Sequence, residues 1–216
     1  MGVSLHYWAV PPSSGLFKRL QSDRAFVTLM GSLFCYGGGI FFFFDDIAAA
    51  EREDILQEVI SAQEKVLGPE PEARQLIEEF RLELERTRLA YPGVEHRRCS
   101  LEKTSFLVEE RLSQALKHVR EDASAFVGRL LYGDQVHSAL KRGEVNLEEF
   151  SNDSAFACGN FVSPSLVKEG AQALSALDGK ALFISDSVWQ LQSFQRWHSV
   201  YGEAAAHGEA LCSGVC

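Results

Sequence analysis

Residues 35–46 read CYGGGIFFFFDD: three glycines, Ile40, four consecutive phenylalanines from Phe41 to Phe44, then Asp45 and Asp46. An apolar run ending in a carboxylate resembles the strand that holds a nucleotide's magnesium, and a glycine run resembles a phosphate-cradling loop. The alternative is a buried segment with a turn on one side and a helix start on the other. A phosphate loop needs Gly-x4-Gly-Lys-Ser/Thr, because backbone amides cradle the phosphates and the lysine meets the terminal ones. No lysine lies between Lys18 and Lys65. The stretch is therefore structural: the glycines bend the chain, the phenylalanines are buried, and Asp45 or Asp46 caps the helix that follows and faces its dipole.

Outward from this point the helix signal is strong. From Asp46 to Leu67, Ile55, Leu56, Val59, Ile60, Val66 and Leu67 form one stripe, ended by Gly68-Pro69. A second helix turns Ala73, Leu76, Ile77, Phe80 and Leu84 inward and stops before Pro92, with Arg74–Glu78 and Arg81–Glu85 spaced as ion pairs. A short proline-bearing turn between two helices predicts an antiparallel hairpin. Upstream, residues 2–9 read as a strand broken at Pro11-Pro12, followed by a short helix capped by Ser13 or Ser14. Phe26, Met30 and Leu33 recur at helical spacing, with Gly37 placed as a helix end, although a strand also fits there.

Downstream, residues 101–132 predict one or two helices burying Phe106, Leu112, Leu116, Val119, Phe126, Val127, Leu130 and Leu131. Residues 154–163 read as a strand. Ser163 caps the next helix with Pro164 at its first position. A further helix over 187–206 ends near Gly208, and the chain closes on an apolar, strand-like tail. Strands at both ends with helices between them predict an α+β fold: a small mixed sheet covered by helices, with an inserted acidic helical hairpin. Residues 1–216 form one domain, within which 23–100 is a helical insertion.

The chain of 216 residues is long enough for one substantial core. Its net charge of −9 argues against nucleic acid, whose phosphates need a basic face. Between residues 45 and 86 there are 13 acidic and 5 basic side chains, so most of the net charge sits on the hairpin. That face is either solvated or a docking surface for a basic partner, with Glu51, Glu58, Glu72 and Glu79 as the outward acids that would make it. The five cysteines (Cys35, Cys99, Cys158, Cys212 and Cys216) form no Cys-x-x-Cys, and the six histidines no metal spacing. No Gly-x-Ser-x-Gly elbow occurs. No catalytic, cofactor or metal residue is therefore assigned. The N-terminus lacks a signal-peptide pattern and no apolar run is long enough to span a bilayer, which predicts a cytoplasmic protein with reduced thiols and no membrane insertion.

MGVSLHYWAVPPSSGLFKRLQ at the start, YGDQVHSALKRGE from Tyr132, GNFVSPSLVKEGAQALSALD from Gly159 and FQRWHSVYGEAAAHGEALCSGV from Phe194 carry a likeness. Over roughly residues 1–22 and 120–216 the chain resembles the YfbM-like bacterial proteins. Members often bear a Trp and a His on the helix before a Leu-x-Gly that matches LYG here. Ser124 and Gly128 stand at that spacing, so no site carries over. The resemblance implies a soluble, cytosolic protein without established enzymatic activity, and speaks to fold before function. Two functions are expected from these observations. The first is a non-enzymatic protein-binding module, most concretely an immunity-type protein neutralising a bacterial toxin or effector. The alternative is an enzyme or small-ligand-binding protein whose site is assembled from scattered histidines and carboxylates.

Overall fold

The computed structural model describes residues 5–36, 47–101, 104–136, 160–183 and 188–215. The readings of Gly37, of Phe41 to Phe44 and of residues 154–159 lie outside them. The fold is α+β, and the chain divides into two compact units. A sheet unit comprises segments 1–11, 96–135 and 160–213; the second unit comprises 12–95, 136–159 and 214–216, and its described α-helices all lie in 12–95, so it is called the helical unit.

The sheet unit is organised by β1 (Leu5–Val10), β2 (Arg98–Leu101), β3 (Gln135–Val136), β4 (Asn160–Val162) and β5 (Ala210–Val215), in the order β2-β1-β5-β4-β3. β1 pairs antiparallel with β2 (Tyr7 opposite Cys99), and β4 with β5 (Phe161 opposite Cys212). β1 buries nearly every side chain, as a central strand does, and breaks at Pro11-Pro12. β2 was not expected, because RCSL has neither the alternation nor the β-branched content of a strand. Partner β1 defines it, and its half-buried arginine suits a sheet edge.

Among the described residues this unit holds α6 (Ser105–Leu116), α7 (Ala123–Tyr132), α8 (Pro164–Ser175), α9 (Gly179–Leu182) and α10 (Val188–His207). Ser163 caps α8, its hydroxyl accepting from the Leu166 amide, with Pro164 in the first turn as the sequence predicts. Gly208, at φ +66°, ends α10. α10 packs along α8 and β2 and brings Phe194, Trp197 and Tyr201 into the core with Tyr7, Trp8, Phe126 and Phe161. Two expected core residues are corrected. Phe106 and Val119 are 62% and 75% exposed, because they lie at the two ends of the α6 segment where cover runs out. Val108 is the buried apolar residue of the first turn of α6 instead.

The helical unit contains α1 (Gly15–Ser22), α2 (Arg24–Tyr36), α3 (Ala49–Ala62), α4 (Glu64–Leu67) and α5 (Glu70–Ala90). Ser14 caps α1, while the Ser13 hydroxyl meets that of Tyr91 at 2.7 Å. Residues 24–36 are helical, and Asp23 caps them by accepting from the Phe26 amide at 3.1 Å. α3 begins at Ala49 with Ala48, not the expected aspartate, in the cap position; Asp45 and Asp46 themselves lie outside the described residues. The long helix expected over 46–67 is broken at Gln63 into α3 and α4. Gly68, at φ +83°, then turns the chain into α5. The hairpin thus carries a short helix between its arms. α2 packs on α3 and α4, and α5 on α1 and α4, around Phe26, Leu29, Met30, Val59, Leu67, Ile77, Phe80 and Leu84. Among the described residues no helix is long and apolar enough to cross a membrane.

Candidate protein-docking surface

Charge is unevenly shared. The sheet-unit segments hold 10 basic and 11 acidic residues, whereas residues 12–95 hold 9 basic and 15 acidic. Arginines compensate many of these acids. The Arg74 guanidinium donates to Glu53 at 2.5 Å from α5 across to α3, and to Glu70 at 2.8 Å on its own helix. Gln57 donates to the same two carboxylates at 3.2 and 3.1 Å. These hydrogen bonds, the Arg74 bond foremost, hold both carboxyls below the usual glutamate range. Arg81 grips Glu78 with two nitrogens at 2.7 and 2.8 Å and reaches Glu85 at 3.3 Å, and Arg86 pairs with Glu83. The Arg74–Glu78 pair read from spacing does not form, since Glu78 is taken by Arg81.

The four sequence-nominated acids fall into two groups. Glu79 is compensated: Arg19 donates to it at 2.9 Å while stacking over the Phe26 ring at 4.0 Å and bonding Asp23 at 2.8 Å. Its carboxyl is held low by that Arg19 bond. Glu51, Glu58 and Glu72 are exposed, and their carboxylates form no ion pair or hydrogen bond among the described residues. Glu72 lies on the first turn of α5, so it shares a helix end with Glu70 and not a face with the other two.

Asp54 was overlooked, although its spacing gives it away. Glu51, Asp54 and Glu58 stand at i, i+3 and i+7 on α3, which places them on one face over about 10 Å of helix axis. Asp54 is exposed and likewise unpaired among the described residues. Among the described residues α3 thus presents a ridge of three unpaired carboxylates, while Glu53, on the side toward α5, is bonded by Arg74.

Among the described residues no group of three or more His, Cys, Asp or Glu side chains is arranged to hold a metal. His118 and His207 are exposed, and His198 stacks on Phe194 with ring centroids 6.1 Å apart. Of the described thiols, burial pushes Cys99 far above its ordinary range, and Cys212 is fully buried on β5. For Cys99 this removes the thiolate character that nucleophilic chemistry needs. No family model, curated protein or solved structure matches the chain.

Proposed function

We propose that this is a non-enzymatic, protein-binding module of the immunity type, in which a YfbM-like sheet unit carries a helical unit whose α3 ridge docks a basic toxin or effector. One observation carries the reading: among the described residues the carboxylates of Glu51, Asp54 and Glu58 have no partner on one exposed face, whereas Glu53, Glu70, Glu78, Glu79 and Glu85 each meet an arginine. Glu51 suits the first turn of α3, but unpaired surface carboxylates along one face repel one another, a repulsion that an external cation would relieve. Such a ridge accelerates encounter with a basic patch and acts mainly on association rate.

The test is co-expression with the product of the neighbouring gene, followed by association kinetics at 50 and 300 mM salt. Glu51→Lys/Glu58→Lys is expected to abolish protection and to lower the association rate at least tenfold at low salt, with a flatter salt dependence. The charge-matched control Glu110→Lys/Glu121→Lys, on the sheet unit, should leave both intact. Equal behaviour of the two variants would return α3 to a solvated face.

A further inference from the structure

Residues 12–95, which carry the described helices of the helical unit, are inserted between two strands that are neighbours in the sheet. The chain leaves the sheet unit after β1 and re-enters at β2, and those ends touch. The Ala9 amide donates to the Arg97 carbonyl at 3.0 Å, next to the Trp8–Arg98 pair of the ladder. Arg97 also makes the most enclosed ion pair described in the molecule. Its Nε and Nη2 donate to the two carboxylate oxygens of Glu209 at 2.7 and 2.6 Å, with the side chains 7% and 3% exposed. Arg97 precedes β2 and Glu209 precedes β5, on either side of β1 in the sheet, so the pair ties three strands together at one end. Arg196 on α10 adds a bond to the His96 carbonyl. All of these contacts belong to the sheet unit, and none uses a residue of the insertion.

We propose that Arg97 and Glu209 form a clasp that closes the base of the insertion, so that the helical unit opens as a separate cooperative element while β1, β2 and β5 remain paired. Each unit has its own buried core, which independent opening requires. Once residues 12–95 unfold, β1 and β2 are joined by a long flexible loop whose closure entropy opposes their pairing, though it grows only with the logarithm of length. The clasp counters this, because separating it strands a desolvated charge on each side. A two-pronged guanidinium–carboxylate pair also fixes direction as well as distance, which holds the strand ends in register.

Hydrogen exchange on the full-length chain tests the idea. Phe80 is fully buried in the helical unit, its ring 4.8 Å from that of Phe26. Phe80→Ala should speed exchange of peptides from α1 to α5 on the order of a hundredfold or more. Peptides covering β1, β2 and β5 should keep wild-type rates. Adding Glu209→Gln should make the β1 and β2 peptides accelerate together with the helices. Where that variant fails to fold, Arg97→Lys, which keeps the charge and loses the fork, serves in its place. Uniform acceleration of every peptide by Phe80→Ala, or unchanged β1 and β2 rates when the clasp is also altered, would overturn the proposal.

Discussion

Tyr7 and Tyr201 reach from β1 and α10 to the same helix end: their hydroxyls donate to the Leu131 carbonyl at 2.7 Å and the Leu130 carbonyl at 2.5 Å. The last carbonyls of α7 have no partner within the helix, and burial denies them water, so these two phenols complete it. Tyr201→Phe removes one donor and leaves a buried acceptor unsatisfied. It should cost about 1–3 kcal/mol in urea unfolding. Tyr132→Phe, which loses a half-buried bond to Glu109, should cost less. Burial raises both core phenols well above the ordinary tyrosine range, and it pushes Tyr132 up to about 12. The folded chain therefore keeps protons that the unfolded chain releases near pH 10. Stability from these groups is complete below about pH 10 and declines as pH rises beyond it. Urea midpoints at pH 8 and pH 11 should show that decline, and Tyr201→Phe should lessen it; an identical slope in the variant would remove Tyr201 as its source.

At the scale of elements, Gly170 shows how closely α8 is drawn to its neighbours. A Cβ there would lie 2.6 Å from a Leu130 methyl carbon and 3.0 Å from Tyr201 Cε1. Gly170→Ala should destabilise by about 1–2 kcal/mol after the gain in helix propensity is counted. Gly202→Ala on α10 meets nothing within 4 Å and should stabilise by up to about 1 kcal/mol, so the two thermal midpoints should move in opposite directions. The elements differ in how plainly the sequence announces them. Ser163-Pro164 and Gly208 mark their helix ends by local chemistry, and α8 and α10 lie where those residues put them. β2 has no such chemistry, since a four-residue edge strand exists only through its partner. α3 shows both cases. Asp54 follows from spacing alone, whereas the Arg74–Glu53 bond depends on two helices meeting and no local pattern encodes it. The exposure of Phe106 was hidden for the same reason: periodicity gives the face of a helix, and tertiary structure decides how far along it the cover extends.

Over the whole molecule, charge and architecture divide along the same line: the sheet unit is close to neutral, and the insertion carries most of the negative charge. Raising salt from 0.05 to 0.5 M should therefore change association with a basic partner far more than it changes the urea midpoint of the sheet unit, since the Debye length falls from about 10 Å at 0.1 M to about 3 Å at 1 M. Equal sensitivity of the two would place the relevant charges elsewhere. The touching strand ends at Ala9 and Arg97 carry a last consequence. A segment whose two termini start from one spot can be lengthened, shortened or exchanged by recombination without moving the strands that flank it. Relatives of this protein should accordingly keep the residues around the splice while their inserts diverge in length and sign of charge. Comparing synonymous and non-synonymous change on either side of Pro11 and His96 would read that history directly.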